Sequence, residues 1–341
     1  NAFLGILIIG DLFMKTNDRI EYIDMVRGIC IIYMILGHIG FPSPYFDHYI
    51  HAFHMPMFFL ISGILFKADC ELGIFEYIKK MIKKVIIPYL FWAFIFLIID
   101  NKTCLGTFSG IRSGLYYIFT TNNVKVPIAG ALWFLTSFFF CNSLFYILFR
   151  KIRNKTIFGI TSISLMIVGI SLSKYFNINL WWSLNSALVG LGIYYLGYLL
   201  KKELNKVNFN NLVLIVILFL LHTLIILKTS YVNMRTGSYP NVIMFTLNIL
   251  SSFVVYASIS RKLLQMKYLK PLNKFIMILG KESMVSLCLN QFLIVLFGNI
   301  YGMFNFNVNL YRILLSVSVI MTLVFISKIS KTTKLKKLFG R

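Results

Sequence analysis

Long apolar runs separated by short polar breaks dominate this chain. Runs such as "FLTSFFFCNSLFYILF" and "NLVLIVILFLLHTLIIL" are long enough, at 1.5 Å per helical residue, to cross roughly 30 Å of hydrocarbon. Ten helical spans are expected, at approximately 22–41, 50–66, 85–100, 130–149, 156–173, 180–200, 211–227, 242–259, 283–301 and 309–327. The connection over 101–129 is too polar to cross, and its "IRSGLYYIF" core reads as a short helix lying on the surface. Composition agrees with this pattern. Of 341 residues, 58 % are hydrophobic and only 13 % charged, more apolar surface than a water-soluble domain of this size can hide. The expected fold class is all-α: a polytopic integral membrane helical bundle of about ten transmembrane helices.

A net charge of +23 raises nucleic acid as a partner until the basic residues are located. The N-terminal segment, 67–84, 150–155, 201–209, 260–282 and 328–341 hold 26 of the 34 Lys and Arg. The alternate connections, with Arg312 at the mouth of its span, hold 7, and Arg27 alone lies inside a span. That asymmetry follows the positive-inside rule with both termini cytoplasmic. The charge is topological, and nucleic acid is not implied. One helical bundle is expected over 18–330, with an N-terminal extension over 1–17 and a basic cytoplasmic tail over 331–341. Residues before Met14 lack a basic stretch, a cleavage site and the length to span, so Met14 reads as the natural start. Cys30, Cys70, Cys104, Cys141 and Cys288 show no C-x-x-C spacing and read as packing residues.

Ionisable residues inside a membrane are costly unless paired or hydrated, which makes them functional candidates. In "RGICIIYMILGH" eleven residues separate Arg27 from His38. At 100° per residue they fall within about 20° of one another on the helix, roughly 16 Å apart along its axis. Asp24 lies one turn before Arg27 on the same stripe. Two readings stand side by side: a cation and a base set along one face, or an Asp24–Arg27 pair at the interface and a histidine bonded to a neighbouring carbonyl. In the second span, His48, His51 and His54 recur every three residues beside Asp47, a spacing a metal could use or the polar mouth of a helix could explain. Pro56 is expected to free a carbonyl and bend that span, with Ser62 deeper in it. Lys79, Lys80, Lys83 and Lys84 cluster at the cytoplasmic mouth of the third span, as membrane anchors or as a socket for phosphates. Trp133 reads as an interfacial aromatic or a cavity wall, and His222 as a bond to a neighbouring helix.

The blocks "RIEYIDMVRGICIIYMILGH", "FHMPMFFLISGILF", "YIKKMIKKVIIPYLFW" and "GALWFL", with weaker echoes in "LVGLGIYYLGYLLKK" and "LGKESMVSLCLNQ", resemble in sequence and order the membrane acyltransferase-3 family, in its stand-alone sugar O-acetyltransferase branch, the fucose 4-O-acetylase-like proteins. The resemblance covers residues 19–291. It implies a multi-pass enzyme of a bacterial plasma membrane that moves an acetyl group from cytoplasmic acetyl-CoA, a co-substrate, to a carbohydrate hydroxyl on a surface glycan or its lipid-linked precursor. No bound cofactor or metal is implied. Carried onto this chain, it makes His38 and Arg27 the catalytic pair, with His38 as general base or nucleophile. Lys80, Lys83 and Lys84 would hold the phosphates of the acyl-CoA, and Asp24, His54, Ser62 and Asn290 would support the site. Two positions depart from the family pattern. Lysine replaces arginine before "PY", keeping the charge without the bidentate fork. Asn290 stands where many members carry histidine, and is expected at most to donate a hydrogen bond. A flippase for lipid-linked saccharide and a non-catalytic subunit of a glycan-assembly complex are the competing readings.

Overall fold

The computed structural model describes residues 21–40, 42–67, 71–99, 108–120, 127–178, 180–204 and 211–340. The expected extension over 1–17, Met14, Cys70 and Cys104 lie outside the described residues. Fourteen α-helices occur among the described residues: α1 (Glu21–Ile39), α2 (Pro44–His51), α3 (His54–Ile64), α4 (Ile74–Met81), α5 (Ile87–Ile99), α6 (Phe108–Thr120), α7 (Trp133–Lys151), α8 (Lys155–Lys174), α9 (Leu184–Leu200), α10 (Leu212–Leu227), α11 (Val242–Gln265), α12 (Lys270–Lys281), α13 (Ser283–Tyr301) and α14 (Val308–Thr332). Eight helical segments are long and apolar enough to cross a membrane; one of them is the continuous 26-residue arm Ile74–Ile99. The protein is a multi-pass helical membrane bundle.

Local chemistry starts these helices where they start. Asn154, Asn211, Asn241 and Asn307 cap α8, α10, α11 and α14, each accepting from backbone N–H groups of the first turn. Such caps satisfy donors that have no partner within the helix. Two of the ten expected spans fall short of a full crossing. The seventh, α10, has 16 residues. The second is broken: α2 ends at His51 and the 11-residue α3 begins at His54. Pro56 sits in the first turn of α3, where its missing N–H costs little, and the break falls upstream of it, at Ala52–Phe53. The expected bend at Pro56 is therefore a change of helix one turn earlier, because proline cannot donate to the carbonyl of Ala52. The break is held by aromatic packing. Phe53 stacks on Tyr256 at 4.9 Å, and the Tyr256 hydroxyl bonds those of Tyr49 and Tyr33, each at 2.9 Å.

The helices α9, α3, α7 and α8 form one half of the packing, and α1, α12, α13, α14 and α11 the other. Helix crossings are close. A Cβ on Gly63 would lie 1.9 Å from the Tyr194 carbonyl oxygen, and one on Gly197 2.0 Å from that of Leu60, so α3 and α9 touch backbone to backbone. Gly28 and Gly280 do the same for α1 and α12. Membrane helices gain from such small-residue contacts because lipid supplies no hydrophobic drive between them. Cys30, Cys141 and Cys288 are buried free thiols, as expected of packing residues. Trp133 is buried against Phe134 and takes no place in a lipid-facing belt. His222 bonds Ser251 of α11 at 3.0 Å, as expected of it.

The α8–α9 connection depends on one side chain. Asn185 accepts from the Leu180 N–H at 2.7 Å and donates to Ser173 Oγ at 3.0 Å and to the Ile178 carbonyl at 2.5 Å. Trp182 and Ser183 beside it take positive φ, a conformation that needs support. Asn185→Ala is expected to cost about 2–3 kcal/mol, measured as a lower unfolding temperature of detergent-purified protein, because several buried polar groups lose their partner at once.

Candidate active site

Helix α1 runs unbroken from Glu21 to Ile39, so Arg27 and His38 stand on one continuous helix, roughly 16 Å apart along its axis. At the first end, Asp24 is buried and Arg27 Nη1 lies 3.9 Å from its Oδ1. A buried carboxylate without a cation would be costly, so Arg27 has a structural task whatever else it does. At the other end, His38 stands in the last turn of α1 with its side chain exposed on the protein surface.

Three further elements come close to that end of α1. From α2 come Asp47 and His51, one turn apart on the same helix, and from α3 comes His54, set against His51 across the break at Ala52–Phe53. The His51 and His54 rings meet edge to face at 4.9 Å. His51 Nδ1 lies 3.1 Å from Asp47 Oδ1, and a Cβ on Gly37, the neighbour of His38, would come within 3.3 Å of His51 Cε1. From the connection between α10 and α11 comes a tight hairpin closed by the Asn233–Ser238 pairing. Its Tyr231 hydroxyl donates to Asp47 Oδ2 at 2.8 Å, and its Arg235 is close enough to His38 to act on it electrostatically. Burial holds the Arg235 guanidinium below its ordinary value. The hairpin is fixed to the bundle by Ser186, which donates to the Met234 carbonyl at 2.6 Å. The last is Gly130, in the "GALWFL" block. A Cβ there would meet Arg235 Nη1 at 3.3 Å and Gln291 Cδ of α13 at 4.0 Å.

The supporting residues divide. His54 is buried and gives its Nδ1–H to the Ile50 carbonyl at 2.7 Å. Ser62 donates to the Phe58 carbonyl at 2.7 Å and so spends its proton on its own helix. Asn290 is fully buried, and its amide nitrogen donates to Ser286 and Leu287 carbonyls of its own turn. Its Oδ1 has no partner, so what it still offers is an acceptor, opposite to the donor expected of it. Among the described residues, no group of three or more His, Cys, Asp or Glu is arranged to hold a metal, and the His48–His51–His54 spacing does not form one.

Lys80, Lys83 and Lys84 are exposed on a different arm. There α4 passes into α5 through a π-turn, Ile82–Ile86, which carries Lys83 and Lys84. A segment after α14, Lys334–Phe339, docks on this arm: Trp92 Nε1 donates to the Leu338 carbonyl at 3.1 Å, and the Trp92 and Phe339 rings stack at 5.3 Å. Gly340 has φ +72°, and a Cβ on it would lie 2.0 Å from the Lys84 carbonyl oxygen. Exposed Lys334, Lys336 and Lys337 thereby join the basic cluster. Helix α1 packs on α11–α14 and shares no extended face with the α4–α5 arm; α13 touches both α1 and α5. The structure thus gathers His38, Asp47, His51 and His54 at one site and the three lysines at another. Tyr231, Arg235 and Gln291 are additions that span spacing could not reveal.

Nodulation protein NolL of Sinorhizobium fredii is 30 % identical over 132 residues, which is 35 % of this chain and 34 % of the relative, so the match spans about a third of that protein. No solved structure matches. The profile of a family described as an acyltransferase domain matches residues 20–328, from the first turn of α1 into α14. With that match spanning nearly every described helix, the chain belongs to the acyltransferase-3 family.

Proposed function

We propose that this enzyme is an O-acetyltransferase that takes its acetyl group from cytoplasmic acetyl-CoA and delivers it to a hydroxyl of a cell-surface polysaccharide or its lipid-linked precursor, in a bacterial plasma membrane. The observation that carries the reading is a single unbroken helix, α1, that holds Arg27 near its start and an exposed imidazole, His38, in its last turn. Coenzyme A has its charge at the phosphates and its thioester at the end of a long flexible arm. Lys80, Lys83 and Lys84, with Lys336 and Lys337 beside them, offer point charges for the phosphates. Arg27 neutralises Asp24 and sets a positive charge at the inner end of α1. The arm would run along α1 toward its far end, where His38 serves as base or nucleophile.

The test is mass spectrometry of surface glycan from cells expressing the wild type or a variant, with membrane levels of each protein matched. An acetyl ester that appears with the wild type supports the reading; its absence from every acceptor examined, with no thiol released from acetyl-CoA by purified protein, ends it. The lysines have their own prediction. Lys83→Ala with Lys84→Ala is expected to raise KM for acetyl-CoA about tenfold, since each exposed cation contributes modestly, while kcat changes little. The KM of the wild type rises with salt, and that of the double variant rises less.

A further inference from the structure

Asp47, His51 and Tyr231 form a hydrogen-bonded chain that ends beside His38. His51 Nδ1 lies 2.9 Å from the Asp47 carbonyl oxygen and 3.1 Å from Asp47 Oδ1. A backbone carbonyl only accepts, so Nδ1 carries the proton, and in the neutral ring the lone pair is at Nε2. The second carboxylate oxygen of Asp47 accepts from Tyr231 at 2.8 Å, which fixes the plane of the carboxylate. Burial and the neighbouring carboxylate hold the Tyr231 hydroxyl above its ordinary value, so it remains a donor. The Cε1 edge of the His51 ring, next to Nε2, is turned toward α1 at Gly37. His51 keeps 21 % of its side-chain surface, whereas His54 is sealed in the core at 4 %. Of the two imidazoles beside His38, only His51 has both an orienting carboxylate and an open edge.

We propose that His51, oriented by Asp47 and Tyr231, is the base that takes the proton of the acceptor hydroxyl, leaving His38 to carry the acyl group. This rests on the acyltransferase reading of His38 and divides the two roles which that reading leaves joined. In the first step the His38 imidazole attacks the thioester carbonyl. A C–N bond forms, the C–S bond breaks, and the thiolate leaves with the electron pair and takes a proton from water. In the second step the acceptor hydroxyl gives its proton to His51 Nε2 while its oxygen attacks the acyl carbon. The ester C–O bond forms, the acyl C–N bond breaks, and its electron pair returns to His38. The imidazolium of His51 faces the Asp47 carboxylate until it releases its proton to water. Thioester and alcohol have become ester and thiol, with no other reactant. A carboxylate on the far side of an imidazole fixes its tautomer and favours its charged form, and so assists the second step alone.

His51→Gln in the full chain separates the two steps. Purified protein is given acetyl-CoA labelled in the acetyl group, without acceptor, and free thiol and protein-bound label are followed; glycan ester is measured in cells. The expected result is a burst of one thiol per chain with the label retained on the protein, and glycan ester falling about 100-fold or more. Asp47→Asn and Tyr231→Phe keep the ring and stand in should His51→Gln fail to fold; each is expected to slow ester formation about tenfold with KM for acetyl-CoA unchanged. In Asp47→Asn the one-thiol burst and the retained label are kept while ester formation slows. An Asp47→Asn protein in which thiol release falls in step with ester formation overturns the proposal. So does ester formation at the wild-type rate by His51→Gln, or a folded His51→Gln that binds acetyl-CoA but releases no thiol. A wild-type protein that releases no thiol and makes no ester instead defeats the acyltransferase reading of His38.

Discussion

His38→Ala is expected to abolish acyl transfer, with kcat/KM down about 1,000-fold or more and no recovery at higher acetyl-CoA. On the proposed chemistry the imidazole is the group that reaches the reacting atoms, as base or as nucleophile, and such losses run to about 10²–10⁴-fold for proton transfer alone. Stability is expected to change little. His38 stands in the last turn of α1 with its side chain open to water, so its truncation leaves no sealed cavity. The check is a steady-state assay of detergent-purified variant and wild type, with unfolding temperatures measured on the same samples. A variant that transfers acetyl at the wild-type rate removes His38 from the chemistry. Arg27→Ala behaves differently. It exposes the charge of buried Asp24 and is expected to lower both stability and activity, and an Asp24→Asn change added to it restores the stability first.

The second large effect is structural. Gly63→Leu and Gly280→Leu are each expected to prevent recovery of monodisperse protein from detergent. At these positions even a Cβ would overlap a carbonyl oxygen of the partner helix, at 1.9 Å from Tyr194 and 1.8 Å from Asp24. Overpacking side chains against side chains costs about 1–3 kcal/mol, because rotamers can give way. Backbone cannot, so the helices must separate, and with them goes the packing along α3–α9 or α1–α12. Gly73→Ala is the control: its Cβ would meet only the end of Glu76 at 3.7 Å, and the expected cost is below about 1 kcal/mol. Size-exclusion profiles and unfolding temperatures decide between these outcomes. Normal assembly of Gly63→Leu would show that the α3–α9 crossing tolerates a wider spacing.

Much of the bundle can be read from local pattern. The stripe from Arg27 to His38 is legible because a single uninterrupted helix carries both residues and its period fixes their faces. The "FFLISG" block announces a close helix approach through small residues, and Gly63 makes one. His222 reads as an interhelical bond and makes it to Ser251. The break at Ala52–Phe53 is harder to read, since proline removes a donor from its own position but disrupts the helix one turn upstream. It is this break that turns a row of evenly spaced histidines into a facing pair. Tyr231 and Arg235 are illegible for another reason. The Tyr231–Asp47 bond joins residues 184 apart, and nothing in "SYVNMRTGSYP" states which helix that hairpin will cover. The docking of Lys334–Phe339 had a faint signal, the apolar Leu338 and Phe339 among lysines, which a basic tail free in water would not need.

That docking gives the enzyme an order of assembly. Trp92 and Leu338 lie 246 residues apart, and every other described helix precedes Lys334–Gly340 in the chain. As the chain is made, α1 to α3 bring His38, Asp47 and His51 into the membrane early. The arm carrying Lys83 and Lys84 follows, but the residues that clamp it arrive only after α14. On the proposed chemistry, a nascent or clipped chain ending before Lys334 holds its imidazoles while the arm that would seat the donor's phosphates is still unclamped, and it is expected to bind acetyl-CoA more weakly than the finished chain.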